Sequence, residues 1–333
     1  MSAASARPLR IGVLGASRIA ESAIVGPAQA LGHRLVAVAA RDRGRAEAFA
    51  GKYGVERVLD TYQDVIDDPE VDVVYNPLAN ALHGPWNLSA VRAGKPVLSE
   101  KPFARNESEA RQVAAAAQAA GVPILEGFHY LFHPLMARTF ELLDSGSIGA
   151  VRHVEVVMAM PSPGDEDPRW SYELAGGALM DLGCYSLHVS RVLGPWCGGA
   201  PEITGGRAVL RGPQIDESAV LDIRYPNGAT GTHAISMVAG EYVFSLRIVG
   251  DDGSLYLHDY LAPSRDDRLT VVSSSGGTVA VEHRGTRSTY TYQLEALAIA
   301  IEHGTALPIG LDDAVENMRY LDEAYRAVGL DPR

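Results

Sequence analysis

Cysteine is scarce in this chain, and long apolar runs are absent. The 333 residues include two cysteines, Cys184 and Cys197, which are too few for a disulfide framework and lack the spacing of a metal site. No apolar run is long enough for a transmembrane helix, and the first ten residues lack the apolar stretch of a signal peptide. We therefore expect a cytoplasmic protein without a bound metal.

An excess of positive charge is also missing. The formal net charge is -12, from 41 acidic and 29 basic residues. Proteins that bind nucleic acid or anionic membranes present basic surfaces to the phosphates. We therefore expect neither kind of partner. The chain is 47% hydrophobic, an ordinary globular composition, and is long enough for two domains.

Short apolar runs alternate with helical patterns in the first part of the chain. The runs at residues 9–14, 35–39, 71–75, 96–98 and 122–125 predict strands. Glycines 54, 94 and 121 follow predicted helices, while Thr61 and Asn106 are predicted helix caps. This alternation is typical of a parallel sheet covered on both faces, which binds ligands at the carboxyl ends of its strands.

A degenerate dinucleotide-binding motif follows the first predicted strand. In "GASRIA", Gly15, Ser17 and Ala20 have the spacing of G-x-G-x-x-G, with small residues in place of the second and third glycines. We predict that Gly15, Ser17, Arg18 and Ile19 contact a dinucleotide. An ordinary turn is the alternative.

The end of the second predicted strand indicates which dinucleotide binds. NAD-binding proteins carry an acidic residue about 20 positions after the motif. Here Ala40 stands near that position and Arg41 follows it, which favours the additional phosphate of NADP(H) over NAD(H). Arg43 and Arg45 are candidates for further phosphate contacts, with solvated helix charges as the alternative. Asp42 weakens the prediction, because it places a carboxylate close by.

The segment "LSEKPFARNESEARQ" places Glu100 and Lys101 directly behind an apolar run. A lysine at the carboxyl end of a parallel strand lies where such sheets bind ligands. A solvated loop is the alternative for the segment. For Glu100 we expect a role in pairing with Lys101 or in orienting the cofactor, with a surface charge as the alternative.

The second half of the chain changes character. From about residue 150 to residue 284 the pattern is strand-rich, and Asn227-Gly228 between two such runs predicts a hairpin. Two helices are predicted at residues 292–302 and 312–327. We predict an α+β domain with a mostly antiparallel sheet, one face of which mediates assembly into a homodimer or homotetramer.

One predicted helix in this half, "AGGALMDLGCYSLHVSRVLG", carries a polar stripe. Asp181, Tyr185 and His188 lie at positions i, i+4 and i+7, so they share one face of an α-helix. A buried hydrogen-bond network is the favoured interpretation for Asp181 and His188. For Tyr185 we favour a catalytic role.

Four stretches together resemble the Gfo/Idh/MocA oxidoreductase family: "GVLGASRIA", "VYNPLANALHGPWNLSAVRAGKPVLSEKP", "EGFHYLFHP" and "PRWSYELAGGALMDLGCYSLH". The resemblance covers nearly the whole chain. It implies an N-terminal Rossmann dinucleotide-binding domain at residues 7–127 and a C-terminal α+β domain with a large, mostly antiparallel, open sheet at residues 128–333. Inositol-dehydrogenase-like members carry histidine where Tyr185 stands. The chain is therefore nearer the dihydrodiol dehydrogenase-like and sugar ketoreductase members.

The resemblance also implies roles for individual residues. Lys101 matches the lysine that reaches substrate and nicotinamide, and Tyr185 matches the acid/base residue. The ordinary pKa of tyrosine, near 10, is too high for a base at neutral pH, and a nearby ammonium lowers it. Further candidate cofactor contacts are Pro77, Leu78, Asn80, His83 and Glu100. Candidate substrate contacts are Tyr130, Arg169, Trp170, Asp181 and His188, with packing as the alternative for each.

Together these features predict an NADP(H)-dependent oxidoreductase that transfers hydride between the nicotinamide and a sugar or sugar-like cyclic alcohol or ketone. A dehydrogenase of trans-dihydrodiols is the nearest alternative. An NADP-binding regulator of the same fold that has lost catalysis is a second alternative. The presence of both Lys101 and Tyr185 argues against the regulator, which needs neither residue.

Overall fold

The computed structural model describes residues 7–333, which form two compact units. The first unit runs to Gly127 and also includes Tyr290–Met318, and the second comprises Phe128–Thr289 and Arg319–Arg333. The expectation that the chain lacks a signal peptide concerned the first ten residues, and residues 1–6 lie outside the described part. Between residues 7 and 333, no helix combines the length and apolar character that a membrane span requires.

A six-stranded parallel sheet forms the centre of the first unit. Its strands are β1 (Arg10–Leu14), β2 (Arg34–Ala39), β3 (Arg57–Val58), β4 (Val73–Asn76), β5 (Val97–Ser99) and β6 (Ile124–Glu126). The strand order is β3-β2-β1-β4-β5-β6, so the direction of winding reverses between β1 and β4. Because this is the order of a Rossmann sheet, the predicted fold is confirmed, with a ligand crevice expected at the carboxyl ends of β1 and β4.

Five helices lie between the strands of the first unit, and the caps predicted at Thr61 and Asn106 are present. They are α1 (Gly26–Leu31), α2 (Arg43–Tyr53), α3 (Tyr62–Asp67), α4 (Asn80–Arg92) and α5 (Glu107–Ala120), with a π-helical turn at Glu21–Val25 before α1. Thr61 caps α3 by accepting a hydrogen bond from the amide of Asp64 at 3.1 Å, and Asn106 caps α5 by accepting one from the amide of Glu109 at 3.0 Å.

An eight-stranded sheet dominates the second unit. Its strands are β7 (Val151–Ala159), β8 (Glu202–Gly212), β9 (Ile215–Arg224), β10 (Thr230–Ser236), β11 (Val243–Gly250), β12 (Gly253–Leu257), β13 (Arg268–Ser273) and β14 (Thr278–His283). The order is β14-β13-β12-β11-β7-β10-β9-β8, and only β7 and β10 pair in parallel. Gly228, at φ 87°, donates to the carbonyl of Tyr225 at 2.9 Å in the turn between β9 and β10. The predicted antiparallel sheet and its Asn-Gly hairpin are confirmed.

Four further helices complete the described chain. They are α6 (Pro134–Asp144), α7 (Cys184–Val192), α8 (Thr289–His303) and α9 (Leu311–Ala327). The predicted division had placed every residue after 127 in the second domain, whereas Tyr290–Met318 belongs to the first unit. Helical periodicity shows which face of α8 is apolar but does not show which sheet that face covers.

Candidate active site

The loop after β1 is built around Gly15. Its backbone has φ +89°, which side chains other than glycine rarely adopt. A Cβ atom at this position would lie 2.9 Å from Cδ2 of Leu78, in the loop after β4. The amide of Gly15 donates to the carbonyl of Ala39 at 2.7 Å. The backbone conformation therefore favours glycine here, and a larger residue would also displace the end of the Leu78 side chain.

The residues that follow Gly15 fit a bound dinucleotide. The hydroxyl oxygen of Ser17 is buried and has no hydrogen-bond partner within residues 7–333. A buried hydroxyl without a partner is unusual, and a phosphate oxygen would accept a hydrogen bond from it. Arg18 and Ile19 are exposed beside it, and Ala20 is fully buried where the helix begins. These features suit a phosphate-binding loop, and the cofactor contacts of Ser17, Arg18 and Ile19 remain predictions.

Arg41 stands two residues beyond the end of β2 and is exposed. Its side chain makes no hydrogen bond or ion pair with the part of the chain that the structure describes. Asp42, beside it, caps α2 by accepting a hydrogen bond from the amide of Arg45 at 3.1 Å. The carboxylate of Asp42, which weakened the NADP(H) prediction, therefore serves as the N-cap of α2.

The other two arginines of this segment have protein partners. Arg43 forms ion pairs with Glu47, at 2.9 Å, and with Asp60. Arg45 donates from Nη2 to the carbonyl of Ala16 at 3.0 Å, so it braces the loop after β1. The prediction that Arg43 extends the phosphate contact is not supported, because two carboxylates already neutralise its charge.

The loop after β4 is held by His83. Pro77 is buried, whereas Leu78 and Asn80 are half-buried. The Nε2 atom of His83 lies 2.9 Å from the carbonyl oxygen of Leu78, and Nδ1 lies 2.7 Å from that of Pro102. Burial lowers the pKa of His83 to about 4. A neutral ring carries one N–H, so it donates to one of these two carbonyl oxygens at a time. The side chain thus links the loops after β4 and β5, and its contact with a cofactor remains a prediction.

The charged segment after β5 is largely buried. Glu100 is 6% exposed, accepts a hydrogen bond from the hydroxyl of Tyr75 at 3.0 Å, and donates from its amide to the carbonyl of Asn76 at 3.0 Å. Lys101 is half-buried, and its peptide bond to Pro102 is cis. A solvated surface charge, the alternative interpretation of Glu100, is therefore wrong. The carboxylate fixes the start of the segment that carries Lys101.

The loops after β1, β4 and β5 are consequently joined at one edge of the sheet. Leu78 covers Gly15, and His83 links Leu78 to Pro102. The three strands are neighbours in the sheet, and their carboxyl ends flank the point where the winding reverses. A dinucleotide binds at this position in doubly wound folds.

In the second unit, the side chain of Tyr185 is buried at the second residue of α7, against the segment 128–130. Its hydroxyl lies 3.2 Å from Nε2 of His129, and Nδ1 of His129 lies 2.7 Å from Oγ1 of Thr289. The ring of Phe128 packs edge-on against Tyr185, with centroids 5.5 Å apart. His129 was missed in the sequence, because nothing in its spacing relates it to Tyr185.

Tyr130 and His188 form a second buried hydrogen bond. The hydroxyl of Tyr130 lies 2.7 Å from Nδ1 of His188, whose ring stacks on Phe128 with centroids 3.8 Å apart. Tyr130 also packs edge-on against Tyr260 at 5.2 Å. The buried hydrogen-bond network favoured for His188 is therefore present. Substrate contacts of Tyr130 and His188 remain predictions.

The polar stripe predicted along this helix is broken between Asp181 and Tyr185. Leu179–Gly183 forms a π-helical turn, in which the i, i+4 spacing of an α-helix does not apply. Asp181 lies 3.6 Å from Nη1 of Arg169, whose Nε donates to Asp167 at 2.9 Å. Asp181 thus belongs to an ion pair with the preceding loop, whereas Tyr185 packs on residues 128–130.

Trp170 packs under a cation in the loop before this helix. The guanidinium of Arg211 lies 4.6 Å from the centroid of its indole ring. The indole nitrogen donates to the carbonyl of Pro163 at 3.5 Å. These contacts account for the position of Trp170 without a ligand. Its stacking on a substrate ring remains a prediction.

A buried ion pair holds the start of the same helix. Arg333 donates from Nη2 to Asp216 at 3.0 Å and from Nε to the carbonyl of Gly176 at 3.0 Å, and both side chains are fully buried. Asp216 also accepts a hydrogen bond from the amide of Leu179 at 2.6 Å. Burial raises the pKa of Asp216 to about 6. Neither residue was predicted from the sequence, because each is an isolated charge outside any motif.

Comparison with known families assigns both halves of the chain. Residues 9–128 match the model described as "Oxidoreductase family, NAD-binding Rossmann fold". Residues 136–256 match the model described as "GFO/IDH/MocA C-terminal domain".

Individual relatives match over most of their length. A D-xylose 1-dehydrogenase (NADP(+)) of Haloferax volcanii is 30% identical over 96% of this chain and 97% of its own. The trans-1,2-dihydrobenzene-1,2-diol dehydrogenase of Mus musculus is 30% identical over 77% of this chain and 76% of its own. The crystal structure of a 3-ketoreductase from Actinomadura kijaniata with NADP and TDP-benzene superimposes with a TM-score of 0.87, at 25% identity, over 96% of this chain and 98% of that one. The same ketoreductase has been solved with a tyrosine replaced by phenylalanine and with a lysine replaced by alanine.

Proposed function

Since this chain belongs to the GFO/IDH/MocA family of oxidoreductases, we propose that it transfers hydride between NADP(H) and a sugar or sugar-like cyclic alcohol or ketone. The observation that carries the proposal is the contact between the loops after β1 and β4. There Gly15 has φ +89°, and a Cβ atom would lie 2.9 Å from Cδ2 of Leu78, so a larger residue would be strained and would displace the end of that side chain. A glycine at this first position of the motif makes the tight turn that brings the following residues to the pyrophosphate.

The residues around this contact suit a dinucleotide with an additional phosphate. The buried hydroxyl of Ser17 is available as a donor to a phosphate oxygen. Arg41 presents an exposed guanidinium beyond β2. Proteins that bind NAD carry a carboxylate near this position, which recognises the ribose hydroxyls. The xylose dehydrogenase is named for NADP(+), and the ketoreductase was crystallised with NADP. We therefore assign NADP(H) as the cofactor, which supplies the hydride chemistry when bound.

We assign the proton chemistry to Tyr185 and the polarisation of the substrate oxygen to Lys101. When a ketone is reduced, the hydroxyl of Tyr185 gives its proton to the oxygen that becomes the alcohol, and the ammonium of Lys101 stabilises the charge that develops there. The assignment is supported by the position of Lys101 after β5 and by the burial of Tyr185 against His129. A tyrosine and a lysine are also the residue types replaced in the ketoreductase structures.

A sugar is the substrate class that the relatives favour. The D-xylose dehydrogenase matches nearly the full length of both chains, and the ketoreductase matches nearly the full length of both in structure. A trans-dihydrodiol is the second candidate, favoured by the similarity to the mouse enzyme. Both classes present a ring carbon that bears a secondary hydroxyl, so one mechanism serves both.

We further propose assembly through the large sheet. Val209 and Leu210 on β8 and Val279 and Val281 on β14 expose between 46% and 67% of their surfaces. Apolar side chains exposed on a sheet favour contact with a second copy. Light scattering of the purified protein tests this: a dimer or tetramer is expected, and a monomer at all concentrations contradicts it.

The function is tested by following NADPH formation with a panel of sugars, cyclic polyols and trans-dihydrodiols, beginning with D-xylose. Turnover with NADP⁺, weaker turnover with NAD⁺, and loss of turnover in Tyr185→Phe are the expected results. Tight binding of NADPH without oxidation or reduction of any compound contradicts the proposed enzymatic function. That result favours the NADP-binding regulator.

A further inference from the structure

A chain of three buried polar side chains begins at Tyr185. The hydroxyl of Tyr185 is 3.2 Å from Nε2 of His129, and the opposite ring nitrogen is 2.7 Å from Oγ1 of Thr289. The three residues are 4%, 2% and 4% exposed, respectively. A phenol is thus connected through an imidazole to a second hydroxyl, and both bonds lie within the second unit.

The groups that face this chain are mostly aromatic. The rings of Phe128 and Tyr130 pack edge-on against Tyr185, and Tyr260 packs against Tyr130. The other imidazole here, His188, hydrogen-bonds Tyr130 at 2.7 Å. The titratable groups to separate from His129 therefore include Tyr130, His188 and Tyr260.

We propose that His129 is the positioning residue that takes and returns the proton of Tyr185 during catalysis. This inference rests on the function proposed above. In oxidation, the substrate O–H bond breaks and its proton bonds to Oη of Tyr185, while the proton of Tyr185 moves to Nε2 of His129. The C–H electron pair leaves as hydride to NADP⁺. His129 becomes an imidazolium. After the product leaves, Tyr185 releases its hydroxyl proton to water and takes the proton of Nε2 back, which restores both residues. Reduction follows the same path in reverse.

The reason is the difference between the ordinary pKa values of phenol and imidazole. At pH 7 only about one tyrosine in a thousand is ionised when its pKa is 10, whereas an imidazole with a pKa near 6.5 is mostly a free base. An imidazole behind the phenol lets Tyr185 accept a proton without being ionised beforehand. The same relationship joins a hydroxyl nucleophile to its histidine in other enzymes.

The relay assigns the proton of the neutral His129 ring to Nδ1. In that tautomer Nδ1–H donates to the hydroxyl oxygen of Thr289, and the lone pair of Nε2 faces the hydroxyl of Tyr185. This is the tautomer that can accept a proton from Tyr185. The hydrogen bond to Thr289 also stabilises the imidazolium, which keeps its Nδ1–H on Thr289.

The first test compares the pH dependence of kcat/KM for NADP⁺ reduction in the wild type and in His129→Gln. Glutamine retains a hydrogen bond towards Tyr185 but does not ionise. We expect the acid limb of the wild type to lie near the pKa of an imidazole, and that of His129→Gln to move at least about two pH units towards that of a phenol. His303→Gln, which removes an exposed histidine, is the matched control and keeps the wild-type midpoint.

One combination of results separates this inference from the function on which it rests. If the wild type turns over, Tyr185→Phe does not, and His129→Gln keeps the wild-type midpoint, the relay is wrong and the proposed function stands. Thr289→Val, which removes the hydroxyl while retaining the shape, is expected to lower kcat about tenfold without changing KM.

The second test needs no substrate. Nitrogen-15 NMR of labelled histidine, assigned with His129→Gln, reports which ring nitrogen carries the proton. Protonation of Nδ1 alone at neutral pH, lost in Thr289→Val, is expected. Protonation of Nε2 alone overturns the proposal. Unchanged thermal unfolding of each variant shows that the effects do not come from loss of folding.

Discussion

The carboxylate of Asp42 accepts a hydrogen bond from the amide of Arg45 at 3.1 Å and so caps α2. This hydrogen bond holds the carboxylate of Asp42 at the start of α2. Once Asp42 is committed to the cap, Arg41 is the exposed charge beside the cofactor loop without a protein partner in the described residues. A single available guanidinium at this point favours a cofactor with a phosphate on the ribose.

Replacing Arg41 with alanine should therefore weaken the binding of NADPH much more than the binding of NADH. Loss of one charge-assisted hydrogen bond costs about 1.5–3 kcal/mol, or about ten- to a hundredfold in Kd. NADH affinity should change less than about threefold. Fluorescence titration measures both. Arg43→Ala is the matched control, because its guanidinium is already paired with Glu47 and Asp60. Equal weakening of NADPH and NADH in Arg41→Ala would refute the phosphate contact.

The variant Tyr185→Phe removes one hydroxyl from a buried ring. We expect kcat to fall by about 10²–10⁴, the usual contribution of a positioned acid or base. The Kd of NADPH should stay within about twofold, because Tyr185 is assigned no role in cofactor binding. Tyr242→Phe, at a tyrosine that is 55% exposed, is the control. Ordinary turnover in Tyr185→Phe is incompatible with the acid/base assignment.

Gly15→Ala tests the cofactor loop. The added methyl group meets Leu78 and the backbone must keep φ +89°, so we expect a loss of about 1–3 kcal/mol in stability and weaker NADPH binding. Gly51→Ala is the matched control. Gly51 lies inside α2 with nothing within 4 Å of an added Cβ, so alanine there should be neutral or stabilising by up to about 1 kcal/mol. Urea unfolding measures the stabilities, and NADPH affinity unchanged in Gly15→Ala argues against the predicted loop.

The free energy of unfolding should fall as the pH is lowered from about 6.5 to about 3, because His233 is buried as a neutral imidazole. This buried imidazole hydrogen-bonds Ser190 at 3.2 Å, and burial lowers its pKa to about 3. Between about pH 6.5 and 3 the unfolded chain binds a proton that the folded chain does not. Each pH unit in that window therefore costs about 1.4 kcal/mol. His83, with its pKa near 4, acts in the same direction.

The variant His233→Asn isolates this contribution. The free energy of unfolding should depend on pH less steeply than in the wild type between pH 4 and 6, by about one proton. Urea titrations at several pH values measure the slope, whatever the absolute stability of the variant. His303→Gln, at an exposed position, should retain the wild-type slope. Identical slopes in His233→Asn and wild type would mean that His233 is protonated in the folded state.

Breaking the buried pair of Arg333 and Asp216 should be strongly destabilising. Arg333→Ala leaves Asp216 buried without its cation, which costs about 3–5 kcal/mol in comparable pairs. Arg326→Ala, at an exposed position of α9, should change stability by less than about 0.5 kcal/mol. Thermal unfolding of both variants checks this. A similar midpoint in both would show that the pair contributes little.

The parts of this fold that are set locally were predictable. The bounds of α2 follow from the cap at Asp42 and from Gly54, and the parallel sheet follows from the spacing of its apolar runs. The π-helical turn at Leu179–Gly183 was not predictable, because it depends on which carbonyl each amide reaches, and the side-chain pattern does not encode that. It changed the expected alignment of Asp181 with Tyr185.

Long-range contacts account for the rest of what the sequence did not reveal. His129 and Thr289 are 160 residues apart, and Arg333 and Asp216 are 117 apart. No periodicity relates such positions, and a single histidine in an aromatic segment carries no spacing signal. Glu100 was recognised as unusual, but its partner Tyr75 lies on a neighbouring strand, where a continuous apolar run marks Tyr75 only as a core residue.

The most direct test of the account is fluorescence titration of the purified protein with NADPH and with NADH under the same conditions. Saturable binding of NADPH, at least about tenfold tighter than that of NADH, is the predicted result, since one guanidinium distinguishes the two. Binding of neither dinucleotide, or tighter binding of NADH, would contradict the assignment of NADP(H) and the proposed function that depends on it.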